Sequence, residues 1–320
     1  MLRPAGQTDE KNARGKSRSD EKEAKHVSTV RKLRNIAERA KVLRIDEATR
    51  IVMMSDCHRG TGNWSDNFMA NQNLFFRALE YYNERRFTYI ELGDGDELWE
   101  NRRMEDIIRA HSDAYWLLSC FYRDHRFYML YGNHDMQKRQ QRFAAKYYQN
   151  YYCDGLACML PLFPGIEIHE GIKLHHAITG REYLLVHGHQ GDLMNDRLWK
   201  ISRGLVRYLW KPLEMVGVNN PIRPAGNYTI EGHTQKRLRR FAEQEKMGLI
   251  VGHTHRPHLP KADELPFFNT GSCVHPRCIT ALEYEHGDFS LVKWCEATRA
   301  DGVLFVERCV LASRLTTKCP

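Results

Sequence analysis

Residues 51–58 read IVMMSDCH, four apolar residues followed at once by a polar cluster that contains Asp56 and His58. A short apolar run of this kind is typical of a strand buried on both faces of a sheet. Side chains two positions apart on an extended chain point to the same side, so Asp56 and His58 can reach one cation. An isolated Asp-x-His is also common in turns and helix N-caps, and this stretch alone does not decide between the two.

The same arrangement recurs at four further places. Each is a short strand-like run that ends in a cluster of glycine, asparagine, aspartate or histidine. The runs are Phe87–Leu92, Arg126–Tyr131, Tyr183–His187 and Leu249–Val251, and the clusters are Gly93-Asp94-Gly95-Asp96-Glu97, Gly132-Asn133-His134-Asp135, His187-Gly188-His189 and Gly252-His253-Thr254-His255. Loops at the carboxyl ends of sheet strands are where α/β proteins build their sites, so we expect the five clusters to converge.

Helical periodicity separates the first strand-like runs. Apolar residues recur at helical spacing over residues 66–85 and 103–124, which together with the strands gives the alternation of an α/β protein. Period-two alternation over 165–176 and 266–311 predicts additional antiparallel strands, with a turn at residues 286–288. The sequence therefore predicts an α/β fold with mixed sheets.

Positive charge is concentrated in two segments. The chain has 320 residues and a formal net charge of +8; residues 1–50 contain 14 Lys and Arg against 8 Asp and Glu, and residues 193–247 contain 11 against 5. We interpret residues 1–50 as a basic tail followed by a helix over about 20–44. Residues 51–320 are then one domain, with a basic helical cap inserted at about 191–247 that overhangs the site.

The apolar runs are too short to cross a bilayer, which takes about 18 residues, and the first residues lack the apolar core of a secretory signal. We therefore expect a cytoplasmic protein, and we expect its nine cysteines to be thiols. The positive charge of the cap would attract an anionic substrate, and it would also suit peripheral contact with an anionic membrane surface.

The five clusters offer a mixed set of metal ligands. Three donate oxygen and four donate nitrogen: Asp56, Asp94, Asn133, His58, His187, His253 and His255. Imidazole with carboxylate suits Mn²⁺, Fe or Zn²⁺ better than Mg²⁺ or Ca²⁺, which prefer oxygen alone. Seven ligands exceed one tetrahedral site, so the sequence predicts two divalent ions, roughly 3.5–4 Å apart, that share a carboxylate.

The clusters, in this order, resemble the calcineurin-like metallophosphoesterase superfamily from residue 51 to about residue 272. The resemblance implies two packed mixed β-sheets flanked by helices, a four-layer sandwich. It also implies that Asp94 bridges the metals, that His134 protonates the leaving oxygen and that Asp135 orients His134. The implied first metal set is Asp56, His58, Asp94 and His255, and the second is Asp94, Asn133, His187 and His253.

The activity expected on this basis is hydrolysis of a phosphomonoester, phosphodiester or pyrophosphate bond by a metal-activated hydroxide. The basic insertion and the following Gly-His-Thr-His-Arg-Pro resemble the UDP-2,3-diacylglucosamine pyrophosphatases of the lipid A pathway, which would imply a lipid-linked or sugar-nucleotide substrate. That branch usually carries arginine where this chain has His134. Arg59 is a candidate contact for a substrate phosphate, with a salt bridge to a neighbouring acid as the alternative.

Two other functions stay open at this point. A nuclease or nucleotide phosphodiesterase would use the same metal centre, but only the basic segments favour nucleic acid and no recognisable nucleic-acid module accompanies them. A non-catalytic scaffold of the same fold is the third alternative, and the complete set of ligands argues against it.

Overall fold

Two β-sheets packed face to face form the centre of the molecule. The computed structural model describes residues 26–153, 156–191 and 232–315. The strands are β1 (Lys41–Ile45), β2 (Ile51–Met54), β3 (Thr88–Leu92), β4 (Phe127–Leu130), β5 (Asn150–Cys153), β6 (Cys158–Pro161), β7 (Ile168–His169), β8 (Gly171–His176), β9 (Glu182–Val186), β10 (Gly248–Val251), β11 (Phe267–Asn269), β12 (Cys278–Glu285), β13 (Asp288–Thr298) and β14 (Leu304–Leu315).

Helices cover the outer faces of both sheets. They are α1, whose described part covers residues 26–39, α2 (Gln72–Glu84), α3 (Met104–Ala110), α4 (Ser112–Arg123), α5 (Gln141–Tyr147) and α6 (His233–Glu245), with 3-10 helices at Met69–Asn71, Met136–Arg139 and His189–Gly191. Over the described ranges, no helix combines the length and hydrophobicity needed to cross a membrane.

Both sheets are mixed. The seven-stranded sheet has the order β14-β13-β12-β2-β3-β4-β7; it is antiparallel from β14 to β2 and parallel from β2 to β7. The five-stranded sheet has the order β1-β8-β9-β10-β11 and is parallel except between β8 and β9. Strands β5 and β6 form a separate hairpin. Because β2, β3 and β4 run parallel, the loops that follow them leave one edge of their sheet.

The apolar side chains divide into three layers of packing. One cluster fills the space between the sheets and includes Met53, Leu185 and Phe268. A second packs α2 to α5 against the seven-stranded sheet. A third packs α1 and α6 against the five-stranded sheet, through Leu33 and Phe241 among others. The order helix, sheet, sheet, helix confirms the predicted four-layer α/β sandwich.

The predicted strands and helices agree with the structure apart from three differences. Strands β7 and β11 lie in the segments predicted to add antiparallel strands, but they pair in parallel with β4 and β10. All five strand-like runs form strands, but the helix expected over residues 103–124 is two helices separated by His111. The helix expected over 20–44 gives way to β1 at Lys41, because Ile45 fills the inter-sheet core and β1 pairs in parallel with β8. Most of the predicted cap, residues 192–231, lies outside the described residues, and α6 is its described end.

The packing of α1 gives a direct test of its place in the fold. Leu33 is fully buried against the five-stranded sheet, whereas Val27 on the same helix is 58% exposed. We expect Leu33→Ala to lower the free energy of unfolding by about 2–5 kcal/mol, because it leaves a cavity. Val27→Ala should change it by less than about 0.5 kcal/mol. Urea unfolding of both variants makes the comparison, and equal effects would contradict the packing of α1.

Candidate metal centre

The five loops bring the predicted ligands together at one edge of the sheets. His255 Nε2 lies 3.2 Å from Asp56 Oδ1, and His187 Nε2 lies 3.2 Å from Asp94 Oδ2. His187 Nε2 is also 3.2 Å from Asn133 Oδ1. Among the predicted ligands, two triads have ligand atoms that all lie within 4.8 Å of one another: Asp56, His58 and His255, and Asp94, His187 and His253. The same holds for a third group at the site, His58, Glu97 and His134. The seven side chains predicted from the sequence therefore surround one small space.

In Asp56 and in Asp94, one carboxylate oxygen accepts hydrogen bonds from the surrounding protein and the other faces the ligand histidines. Asp56 Oδ2 accepts hydrogen bonds from the backbone N–H of His253, at 2.9 Å, and from the hydroxyl of Ser55. Asp94 Oδ1 accepts one from the backbone N–H of His134, at 2.8 Å. The two remaining oxygens are those nearest the histidine nitrogens.

Two atoms of this site are buried without a hydrogen-bond partner: Asp56 Oδ1 and His58 Nε2. A buried polar atom without a partner is costly, and such atoms are uncommon in folded proteins. A carboxylate oxygen and an imidazole nitrogen that face the same space are ligands for one cation. The residues present therefore fit a metal centre.

Asp94 lies between the two triads. Its Oδ2 is 3.2 Å from His187 Nε2 in its own triad and 3.9 Å from His58 Nε2 in the other. A carboxylate shared by two ions must lie in such a position. The geometry thus suits Asp94 as the bridging ligand.

Hydrogen bonds fix the orientation of two imidazoles. His58 Nδ1 lies 2.9 Å from Glu97 Oε2, and His187 Nδ1 lies 3.0 Å from the carbonyl oxygen of Leu92. In each ring Nδ1 is thereby occupied as a donor, and Nε2 is left for the site. Partners of this kind hold a ligand ring in place and raise its basicity.

The backbone at the ligands adopts an unusual conformation. Five ligands have φ angles in the left-handed region: Asp56 (53°), His58 (48°), Asp94 (50°), His253 (66°) and His255 (56°). Aspartate and histidine tolerate this region better than most residues, but it costs of order 1–3 kcal/mol per residue. Such strain persists where the surrounding structure imposes it, and functional sites are the usual place.

Glycines of the clusters allow close approach to the carboxylates. A Cβ atom on Gly132 would collide with Asp94 Oδ1, and one on Gly252 would lie 2.6 Å from Asp56 Oδ2. In both positions the Cβ atom would lie closer to the carboxylate than Cβ atoms approach other atoms in proteins. These two glycines are therefore required by the space that the carboxylates occupy.

The carboxylates and imidazoles stabilise each other's charged forms. Burial opposes the charge on Asp94, but His187 and His134 outweigh it and hold the pKa of Asp94 below its usual range. Burial also opposes protonation of His187, yet Asp94 and Asp56 raise its pKa to about 9. The carboxylates thus attract positive charge, and protons compete with metal ions for the same imidazole nitrogens.

Glu97 and Trp99 hold His134 in place. His134 Nδ1 lies 2.9 Å from Glu97 Oε1, and its ring stacks on the indole of Trp99 with centroids 4.0 Å apart. The indole Nε1 also donates to the carbonyl oxygen of Asn133 at 2.7 Å. Burial opposes protonation of His134, but Glu97 and then Asp94 raise its pKa. The sequence alone assigns no role to Glu97, although its place in the Gly-Asp-x-x-Glu cluster is a signal that it belongs to the site.

Asp135 does not contact the ring of His134, contrary to the expectation that it orients this residue. Its carboxylate accepts hydrogen bonds from the backbone N–H groups of Gly132, at 2.6 Å, and Gly95, at 3.1 Å. It also pairs with Lys138 Nζ at 2.6 Å. The side chain is fully buried beneath the loop, so its role is to hold loops together.

Arg59 is fully buried, so its guanidinium is not accessible to a phosphate group from solution. Its Nε donates to Asp96 at 2.8 Å, and its Nη2 donates to Glu91 at 2.7 Å, so the salt-bridge alternative applies. Lys138 Nζ lies 2.7 Å from Asp96 and joins the same group. We call the five residues Arg59, Glu91, Asp96, Asp135 and Lys138 the interior charge cluster.

A cavity lies beside the loops that follow the first two ligand clusters. Its volume is about 410 Å³. It is lined by Thr61, Glu100, Asn101, Arg102, Arg103 and Asp106. The lining includes two arginines, which are suited to hold phosphate or carboxylate groups.

The fold and the ligand set together define an α/β sandwich protein with a candidate dinuclear metal centre. The chain belongs to the calcineurin-like phosphoesterase family, since a family model of that description matches residues 49–257. No curated protein sequence matches the chain.

Solved structures show a distant likeness. Vacuolar protein sorting 29 from Cryptosporidium parvum is 11% identical, with a TM-score of 0.35 over 82% of this chain and 99% of that one. Vps29 from Entamoeba histolytica is 14% identical, with a TM-score of 0.36 over 82% and 100%. Vps29 from Chaetomium thermophilum is 10% identical, with a TM-score of 0.37 over 85% and 100%.

The interior charge cluster predicts a large effect of removing its lysine. Lys138→Met leaves Asp96 and Asp135 buried without one of their cations, and we expect a loss of about 3–5 kcal/mol in the free energy of unfolding at pH 7. Lys146→Met is the matched control, because Lys146 is exposed. Urea unfolding that finds the two variants equally stable would contradict the role of Lys138.

The same cluster predicts how that loss depends on pH. Burial raises the pKa of Asp96, but Arg59 and Lys138 outweigh burial and hold it well below the usual 3.8. The stability that ionised Asp96 contributes is therefore present above about pH 4 and is lost as the pH falls further. Without Lys138 the pKa of Asp96 is less depressed. The difference in the free energy of unfolding between wild type and Lys138→Met should therefore become smaller below pH 4. A difference that widens there would contradict this assignment.

Proposed function

We propose that this protein is a metal-dependent phosphoric ester hydrolase. The observation that carries the proposal is the pair of ligand triads, with Asp94 of one triad facing the other and His134 beside them. The ring of His134 lies edge-on to the ring of His58, with centroids 4.6 Å apart. A proton donor next to a metal centre is the arrangement that phosphoester hydrolysis needs.

Two divalent ions would be held by the seven predicted ligands. Asp56, His58 and His255 would hold one, Asn133, His187 and His253 the other, and Asp94 would be shared. Oxygen and imidazole ligands favour Mn²⁺, Fe or Zn²⁺. Such ions supply Lewis acidity, which makes a water nucleophilic at neutral pH and offsets negative charge on the phosphoryl oxygens.

His134 is proposed as the general acid. Its Nδ1 is engaged by Glu97, so Nε2 is the nitrogen from which a proton can be given to the leaving oxygen. Burial opposes protonation of His134, but Glu97 and Asp94 outweigh burial and raise its pKa, which favours the protonated form that a general acid needs. Its side chain keeps 24% of its surface exposed, which leaves it accessible to a substrate. Glu97 and Trp99 are proposed as positioning residues, since both contact His134.

The substrate is proposed to be an anionic phosphate compound that extends beyond the reacting phosphoryl group. The cavity lined by Thr61 and Glu100, which follow the first two ligand clusters in the sequence, has a volume of about 410 Å³ and room for a substituent larger than an alcohol. It carries Arg102 and Arg103, and Arg103 Nε lies 3.6 Å from Asp106 in the same lining. Diesters and pyrophosphates, including sugar nucleotides, offer a second charged group for these arginines. Contact of the basic insertion with a membrane stays a prediction, because most of that segment lies outside the described residues.

Metal dependence is the first test of this proposal. We expect protein stripped by a chelator to be inactive, and refilling with Mn²⁺ to restore hydrolysis of at least one compound in a panel. The panel contains a nitrophenyl phosphomonoester, a bis-nitrophenyl diester and a sugar-nucleotide pyrophosphate. Metal analysis should find two Mn²⁺ per chain in wild type and fewer in Asp94→Asn. Fully loaded protein that hydrolyses none of the three would contradict the proposal.

The role of His134 is tested by replacing it with a residue that cannot transfer a proton. His134→Asn should lower kcat by about 10²–10⁴-fold, the usual contribution of a general acid, while the Mn²⁺ content stays at two per chain. His286→Asn is the control, since His286 lies exposed in a turn. An unchanged kcat would exclude His134 as the acid. Loss of metal would instead assign it to the structure of the centre.

A further inference from the structure

A second group of metal-binding side chains lies on the outer strands of the seven-stranded sheet. Cys295 on β13 and Glu307 and Cys309 on β14 each place one ligand atom within 4.8 Å of the others. Cys309 is within hydrogen-bonding reach of both Glu307 and Cys295. The two cysteines are half-buried and the glutamate is exposed, so an ion in solution can reach them. β13 and β14 are separated from the site-bearing strand β2 by β12.

The register of the strands disfavours a disulfide between the two cysteines. Cys295 is directly opposite Glu307, whereas Cys309 is opposite Lys293, so the cysteines are diagonal neighbours. Diagonal neighbours in an antiparallel pair have Cα atoms roughly 7–8 Å apart. Cysteines whose Cα atoms are more than about 7 Å apart cannot be bridged unless the backbone moves. Both residues are free thiols in the structure.

The spacing of Cys295 and Cys309 suits two thiolates that bind the same cation. Two thiolates bound to one Zn²⁺ at about 2.3 Å, in tetrahedral geometry, lie roughly 3.8 Å apart. Ligand atoms that already lie within 4.8 Å of one another need only small side-chain rotations to reach that distance. Glu307 supplies a third ligand on the same face of the sheet, since it is paired with Cys295.

We propose that Cys295, Glu307 and Cys309 bind a thiophilic divalent cation of the zinc class, with water in the fourth position. Binding deprotonates the two thiols and releases both protons to solvent. Burial and the neighbouring Glu307 raise the pKa of the Cys309 thiol, and a divalent cation offsets the negative charge that causes part of this rise. The cation would link β14, the edge strand of its sheet, to β13.

Cobalt provides a probe that separates this site from the candidate centre described above. Co²⁺ bound to thiolates shows a sulfur-to-metal charge-transfer absorption in the near ultraviolet, and the seven ligands of the other centre contain no sulfur. Co²⁺ is titrated into full-length, reduced, metal-free protein, and we expect this absorption to rise to saturation at the intensity of one thiolate-bound ion per chain, whatever additional Co²⁺ the sulfur-free centre takes up. The readout does not depend on hydrolysis, so a protein that proves inactive still tests the inference.

Variants assign the absorption to its ligands. Cys295→Ser and Cys309→Ser should abolish it, and Glu307→Gln should keep the absorption but weaken Co²⁺ binding by about 10-fold or more. Cys120→Ser, on α4, is the matched control and should bind like wild type. Wild type without the absorption, or an absorption that survives both Cys295→Ser and Cys309→Ser, would overturn the proposal.

A second measurement uses the wild type alone, in case a serine variant fails to fold. Peptide mass spectrometry after alkylation should show that Zn²⁺ protects Cys295 and Cys309 by at least several-fold, while Cys120 reacts equally with and without Zn²⁺. Equal alkylation of all three, or recovery of Cys295 and Cys309 as a disulfide, would overturn the proposal.

Discussion

The need to match two buried carboxylates with positive charge governs the architecture of this site. Asp56 and Asp94 are almost fully buried, and each uses one oxygen to accept backbone hydrogen bonds from another site loop. The second oxygen of each faces the imidazoles. Charge of this kind is not stable in a protein interior unless it is paired. The histidines and the bound cations that we propose supply this positive charge.

The interior charge cluster extends the same principle one layer deeper. Arg59 follows directly after the ligand His58, Asp135 follows directly after His134, and Asp96 lies two residues after Asp94. Their pairing with Glu91 and Lys138 therefore ties three site loops to each other below the ligands. Buried ion pairs add little net stability, but breaking one is costly, so they favour a single arrangement of the loops. Of the ligands with left-handed backbone conformations, Asp56, His58 and Asp94 lie in the loops that the interior charge cluster ties together.

Much of the fold and the positions of the ligands could be predicted from the sequence, because strand periodicity and polar clusters at strand ends are local signals. The hydrogen-bond partner of His134, Glu97, could not be predicted from the sequence. Asp135 is adjacent to His134 in sequence and Glu97 is not, but the direction of each side chain depends on how two loops pack. Arg59 turns inward for the same reason, since Glu91 and Asp96 are supplied by a neighbouring strand and loop. β1 lies in a segment whose apolar spacing predicts a helix, and it is a strand because of its long-range pairing with β8.

The most direct measurement is a crystal structure of the Mn²⁺-loaded protein with anomalous scattering data collected at the manganese edge. The account predicts two anomalous peaks roughly 3.5–4 Å apart. One peak should contact Asp56, His58 and His255, the other should contact Asn133, His187 and His253, and Asp94 should touch both. A fully loaded crystal with peaks elsewhere, or with these side chains around no ion, would contradict it.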